Sequence, residues 1–353
     1  MYPLKLTPDL KERVWGGDKL EPILGMPRTN RPIGEAWLIY EDLIIENGEH
    51  AGKTLAQLTR AFPDEMLGNK RSQDNDEPRF PLLAKFLDPK EFLSIQLHPN
   101  DEYARAKENQ PNGKCEFWYA MHVEPDASLI HGVRHALTRE ELIASALDGS
   151  IRQTLNYIHL KTGDVVINLP GTIHALGAGI LIYELQQSSD LTYRLYDWGR
   201  TGRELHLNKS ADVADLEPMD THTIQPLVIR VSSSTRTFLC ACDFFAAELI
   251  DTTTSFTHNT SGESPHLVTV IDGGGRLGSK CGDVKIKTGD SVVVPASVGA
   301  YSLTAESTMK AIVGYVPDLK KDVIAPLRQA RYSDVDIVQL GGDKKRSHLV
   351  KAL

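Results

Sequence analysis

Apolar and polar residues alternate along much of the chain, and that alternation predicts most of its elements. Phe92 to His98 reads FLSIQLH, a period-two pattern expected of a strand. On such a strand Ser94, Gln96 and His98 share one face. Strand-like pieces run from Phe80 to His98, from Cys115 to Met121 and on to Ile130, and from Leu160 to Leu169. Helices interrupt them. Thr54 to Leu67 reads as one helix, capped by Thr54, with Leu55, Leu58, Phe62 and Leu67 on one side. A short helix starts at Asn100 or Asp101, each a competent cap, and runs to about Glu108. Thr138 and Glu141 stand at capping-box spacing and open a helix to Asp148-Gly149, with a second short helix through Ile158. Residues 1–50 read as short extended pieces and turns, and Lys70 to Arg79 as a polar loop.

Past a polar, turn-prone stretch from Pro218 to Pro226, Leu227 to Val316 consists of short β-branched runs with Gly-rich turns, the pattern of a small sandwich or barrel. An internal echo links the halves. Lys161-Thr162-Gly163-Asp164, followed by Val165, Val166 and Pro170, matches Lys287-Thr288-Gly289-Asp290, followed by Val292 to Val294 and Pro295. The echo implies two copies of one β-barrel unit. The second copy has no histidine after its proline, so it cannot repeat whatever His174 does in the first. The expected class is mainly β, two barrels with helical insertions in the first half. The expected division is 1–225, 226–317 and a charged tail over 318–353, which is weakly patterned and expected to be partly disordered.

At 353 residues the chain suits two domains. A net charge of -8 argues against nucleic acid or an anionic membrane as main partner, and no apolar run reaches the ~18 residues of a membrane span. The N-terminus lacks the pattern of a signal peptide, and four cysteines in this length make no disulfide framework, so a cytoplasmic protein is expected. Cys240 and Cys242 resemble a metal pair, but they sit in an apolar strand without a partner pair and read as buried structural thiols.

The candidate chemistry gathers in two runs, Lys85 to Trp118 and Gly163 to Arg200. Gln96, His98, Glu116 and His174 supply two imidazoles, a carboxylate and an amide oxygen, a donor set for zinc or another borderline divalent cation. A histidine on a strand is more often structural. His174 after Pro170-Gly171 strengthens the metal reading, whereas His122, His131, His135 and His159 read as surface or structural. Lys85, Lys114 and Arg194 lie near these segments, and convergent basic groups suggest an anionic ligand such as phosphate. Glu184 opens a polar run, ELQQSSD, which is either a loop or a pocket wall. Two histidines with a carboxylate also form the facial triad of iron oxygenases, and a non-catalytic sugar-phosphate binder would keep a similar pocket.

The runs LSIQLHP (93–99), GKCE (113–116) and PGTIHA (170–175), with Glu184…Gln186-Gln187-Ser188-Ser189-Asp190…Thr192-Tyr193-Arg194…Tyr196-Asp197, resemble the signature of the type I mannose-6-phosphate isomerases, cupin enzymes, in their short bacterial form. The likeness runs from Trp15-Gly16-Gly17 and Ile33 to Trp37 as far as Val316-Pro317, and the tail has no counterpart in it. It implies two jelly-roll barrels and interconversion of mannose 6-phosphate with fructose 6-phosphate through an enediol. It implies one zinc ion per chain, on Gln96, His98, Glu116 and His174. Arg194, Lys85 and Ser94 would hold the phosphate or its sugar, Glu184 and Lys114 would be candidates for moving protons, and Arg194 is the family's marked active-site residue. The implied partner is a small sugar phosphate, the implied assembly a monomer or homodimer. Two departures stand out: Pro170-Gly171-Thr172 replaces the family's Pro-Ala-Gly, and Asn100 replaces its acidic residue, with Asp101 following.

Overall fold

A computed structural model describes residues 1–70 and 77–353. The protein is mainly β, as expected, and its strands form three antiparallel sheets. The first half holds two of them. A six-stranded sheet runs in the order Asp9–Gly17, Ile33–Ile39, Leu82–Leu87, Ile180–Gln187, Glu116–Val123, Val165–Asn168. A five-stranded sheet runs Tyr193–Tyr196, Ile95–Leu97, His174–Ala175, Ser128–Val133, Leu155–His159. The second half is one nine-stranded sheet built around two long strands, His266–Ser279 and Ala300–Tyr315.

Strand periodicity decides which face does what. Ile180–Gln187 is buried throughout because both its faces are covered. Leu181, Tyr183 and Leu185 enter the large core shared with the second half. Ile180 and Ile182 enter a smaller core, and Glu184 and Gln186 continue that same face. Neighbouring strands repeat the scheme: Phe117 faces the large core, Trp118 and Ala120 the small one, and Glu116 shares their face. Val165 and Ile167 alternate with Val166 and Asn168 in the same way. One end of the inner face is thus apolar and the other polar. Across the gap, Ile95, Leu97, Ile173, Ala175, Tyr193 and Leu195 pack with Leu142 and Ala146 of helix Arg139–Asp148. Gln96, His174 and Arg194, one register row, alternate onto the opposite face.

Several local expectations change. The helix expected over Thr54 to Leu67 is two, Leu55–Ala61 and Pro63–Leu67. Thr54 caps the first with Gln57 in a capping box, but Pro63 disfavours a helical Phe62 and starts a new turn as the first residue of the second. Thr138 and Glu141 form the expected capping box, and Gly149, left-handed at φ +78°, ends that helix. The following short helix stops at Thr154, where Leu155–His159 pairs with Ser128–Val133 instead of continuing to Ile158. The loop expected over Lys70 to Arg79 falls mostly outside the described residues.

The echoed turns share one geometry. Asp164 accepts from the Lys161 amide at 2.7 Å and Asp290 from the Lys287 amide at 2.9 Å, with Gly163 and Gly289 at φ +95° and +90°. The tail is not disordered. Leu319, Val323, Ile324 and Leu327, a helical stripe hidden among charges, are buried in the large core with Ile337, Leu340 and Leu349. The tail also reaches the first half: Asp343 accepts from the Asp220 amide at 2.7 Å, and Arg346 pairs with Asp215 at 2.8 Å. At the other end, Leu4 and Lys5 pair with Val293 and Val292, so the amino terminus joins the second half's sheet. Cys240 and Cys242 are buried and free, with Cys242 4.0 Å from the Cys115 sulfur.

Candidate metal centre

Two tight connections bring the donor-bearing strands together. The Gly171 amide donates to the His98 carbonyl at 2.9 Å, so the Pro170-Gly171 turn fixes His174 against the end of the His98 strand. Gly171 has φ +87°, and a Cβ there would stand 2.6 Å from the Val213 carbonyl. Lys114 donates its amide to Pro99 at 3.0 Å, which requires Gly113: a Cβ on it would lie 2.3 Å from the Pro99 oxygen.

The result is a fully buried group of His98, Glu116 and His174 whose ligand atoms lie within 4.8 Å of one another. Each imidazole has its tautomer set from behind. The Nδ1 of His98 donates to the Leu191 carbonyl at 2.8 Å, and that of His174 to the Thr172 carbonyl at 2.9 Å. Both Nε2 atoms are left with a lone pair and no hydrogen-bond partner. They face each other: His98 Nε2 stands 3.5 Å and His174 Nε2 3.3 Å from the Glu116 carboxylate.

Burial pushes His98 below the usual imidazole range, with the Lys114 charge adding to it, and burial takes His174 to about 3. Both rings are therefore neutral at pH 7, the ligating form. Burial alone would raise Glu116, but the Lys114 charge outweighs it and holds the carboxylate well below its ordinary value. Lys114 contacts it at 2.9 Å, and Asn168 donates to its other oxygen at 3.1 Å. Two buried imidazole lone pairs facing a carboxylate, with no donor of their own, are costly unless a cation meets them. This donor set fits zinc.

Gln96 lies in register with His174, so its side chain is on the same face of the sheet, and it accepts from Ser94 at 3.0 Å. Arg194 is opposite Gln96 on the other side; it donates to the Glu204 carbonyl at 3.0 Å, and its buried Nε has no partner. Lys85 and Glu184 form one buried ion pair at 3.0 Å, and Trp118 donates to the other Glu184 oxygen at 2.7 Å. Burial, followed by the charge of Glu116, raises Glu184, whereas Glu184 and Glu35 outweigh burial at Lys85 and keep it protonated. Lys85, Glu184, Lys114, Glu116 and the two histidines thus lie within electrostatic reach of one another, and strand register adds Gln96 and Arg194.

Asn168, Gln186, Trp118 and Glu35 were not singled out. Asn168 was the readable one, a lone amide closing the apolar strand Val165–Asn168. Gln186, opposite Glu116 in register, is fully buried with its Oε1 unpartnered. Trp118 and Glu35 act through partners distant in sequence, which no local pattern reveals. His131 is buried and bonded to His222 at 3.2 Å and to the Ile167 carbonyl, in keeping with a structural role.

Two family models match the chain: phosphomannose isomerase type I, catalytic domain, over residues 3–114, and mannose-6-phosphate isomerase, cupin domain, over 234–316. The chain is 35% identical over 312 residues to the mannose-6-phosphate isomerase ManA of Bacillus subtilis, covering 85% of this chain and 95% of that protein. It is 31% identical to a mannose-6-phosphate isomerase of Streptococcus mutans, covering 86% and 96%. The crystal structure of a Bacillus subtilis mannose 6-phosphate isomerase superposes with a TM-score of 0.80 at 31% identity, covering 89% of this chain and 99% of that one. A zinc-bound mannose 6-phosphate isomerase shares the fold, with a TM-score of 0.72 at 18% identity over 88% and 99%.

Proposed function

The chain belongs to the type I mannose-6-phosphate isomerases, aldose–ketose isomerases, and on that premise we propose how its own residues divide the work. Gln96, His98, Glu116 and His174 hold one zinc ion per chain. The observation that carries this is the pair of buried, unpartnered Nε2 atoms of His98 and His174 converging on the Glu116 carboxylate. When bound, the ion stabilises negative charge developing on the sugar oxygens next to the reacting carbons.

Mannose 6-phosphate becomes fructose 6-phosphate when a proton leaves C2 and one is delivered to C1, with an enediol between. Glu184 is the group suited to carry that proton, because burial and the charge of Glu116 raise it above the ordinary carboxylate value, the direction that favours a general acid–base. Lys85 and Trp118 fix both its oxygens, which orients it before substrate arrives. Lys114, against Glu116, holds that carboxylate in place and supplies a proton at the sugar oxygens. Arg194, with its unpartnered Nε, takes the phosphate at the pocket mouth; Lys85, beside Glu184, contacts the sugar, as does Ser94, which also positions Gln96. Phosphate binding far from C1 and C2 contributes to the transition state by orientation.

Residues 1–225 form the catalytic unit, 226–317 a second cupin unit of the same jelly-roll kind without a metal, and 318–353 an extension. The Ile224–Val165 bridge and the strand opening at Leu227 support that division. The protein works in the cytoplasm as a monomer or homodimer on a small sugar phosphate, with no nucleic-acid partner; its acidic balance supports this, and no helix among the described residues is long and apolar enough to cross a membrane.

A coupled assay on mannose 6-phosphate tests the reading. A chelator should abolish turnover and zinc should restore it. Glu184→Gln should retain metal but lose about 10²–10⁴-fold in kcat and in exchange of the C2 hydrogen with solvent. A Glu184→Gln enzyme that still exchanges that hydrogen at the wild-type rate removes Glu184 from the role.

A further inference from the structure

The tail lies beyond both family matches, the second of which ends at residue 316, yet part of it is fastened to the first half. Residues 342–346 make that attachment at two places. From each, a short run of contacts leads to a metal ligand.

The first place is the strand Val165–Asn168. A Cβ added to Gly342 would lie 2.6 Å from the Ile167 side chain, so the tail backbone runs against it. The Ile167 carbonyl accepts from His131 at 3.2 Å, and the neighbouring Asn168 donates to Glu116 at 3.1 Å. His131 in turn lies opposite His174 in the sheet.

The second place is the irregular stretch between the helix Leu207–Val213 and the strand Leu227–Val231. Backbone groups outside regular structure must find partners elsewhere, and the tail supplies them. Asp343, only 2% exposed, accepts from the Asp220 amide at 2.7 Å. Arg346 donates to the Glu217 carbonyl at 2.9 Å and to the Asp215 carboxylate at 2.8 Å. The Asp215 amide donates to the Gly171 carbonyl at 2.9 Å, while the Gly171 amide donates to the His98 carbonyl. The turn that leads into His174 is thus gripped on one side by the His98 strand and on the other by a residue the tail holds.

We propose that the tail positions the metal ligands, with Arg346 the positioning residue that holds Asp215 against the His174 turn, and so sets the affinity for zinc. The inference rests on the reading that His98, Glu116 and His174 hold the ion. Partners one step behind a ligand typically change metal affinity by about 10–100-fold. Arg346 stands further back and its pair with Asp215 is partly exposed, so a smaller change is expected.

Zinc dissociation constants are measured on full-length protein by chelator competition, with melting temperatures alongside. Arg346→Met and Asp215→Asn break the contact from either side, and each should bind zinc about three- to tenfold more weakly than the parent. Arg346→Lys keeps a cation beside Asp215 and should recover most of that loss. At saturating zinc the KM for mannose 6-phosphate should be unchanged in all three. Ser347→Ala removes a bond inside the tail, from the Ser347 hydroxyl to the Val338 carbonyl at 2.9 Å. It should lower the melting temperature and leave zinc affinity as in the parent. Zinc affinity within about twofold of the parent in both Arg346→Met and Asp215→Asn overturns the proposal, as does a loss that Ser347→Ala reproduces. His98→Ala separates the two readings. If it loses zinc while the Arg346 and Asp215 variants keep theirs, the ligand set stands and the tail's role falls; if it binds zinc as the parent does, both fall.

Discussion

Glu116 and Glu248 are two fully buried glutamates, one in each half, and they differ in what surrounds them. Glu116 has Lys114 and Asn168 on its two oxygens, yet it also faces two imidazole nitrogens that have no proton to give and no hydrogen-bond partner of their own. Glu248 is met by a guanidinium, a phenol and an imidazole, and lacks nothing. Both carboxylates sit below their ordinary range, with burial opposing and cations outweighing it in each case, so charge alone does not separate them. Unmet hydrogen-bonding demand does: a buried donor set left incomplete is built for a visitor, a complete one for rigidity.

That contrast is open to direct attack. The largest effect is expected at the incomplete site. His98→Ala should lose bound metal and, with it, at least about 10³-fold in kcat/KM, while far-ultraviolet dichroism stays as in the parent. Metal analysis showing a full complement in that variant would dismiss the ligand set. Glu248→Leu should behave in the opposite way: metal retained, but stability lowered by about 3 kcal/mol in denaturant melts, because the partly buried Arg236 is left without its partner. Pairing it with Arg236→Met should recover most of that loss, since two matched apolar residues replace the ion pair. If the double variant is no more stable than the single, the strut reading of Glu248 fails.

Acid sharpens the comparison further. Glu35 is buried, and although burial raises it, Lys85 and Arg13 hold it down to about 2 from an ordinary 4.5. A carboxylate depressed in the folded state stabilises above its unfolded value and loses that contribution as pH falls through the folded one. Stability should therefore decline from about pH 4.5 towards 2, and Glu35→Gln should flatten that decline in melts taken across the interval. The smallest effect belongs to an element remote from both glutamates. Thr138→Ala removes a helix cap and should cost about 1 kcal/mol without altering turnover.

Much of this was legible before any coordinates. Period-two alternation put Gln96, His98 and Ser94 on one face, and the echoed Lys-Thr-Gly-Asp turns do close with the same hydrogen bond. The donor residues came from motif context, because no strand by itself reveals what another strand lays against it. What escaped notice was long-range or masked. The pairing of Lys85 with Glu184 depends on register between segments about a hundred positions apart, and the tail's apolar stripe lies among lysines and aspartates that hide its period. Phe62 illustrates a smaller failure: an apolar side chain kept the helical pattern going on paper where Pro63 broke the backbone.

The short ladder between Leu4 and Val293 has a consequence for the birth of the protein. During synthesis this strand leaves the ribosome well before its mate; residues 44–47 can meet one edge of it early, but the edge that faces Val293 must wait. A nascent chain halted ahead of Val293 should therefore leave that end open to protease, and one released beyond it should not.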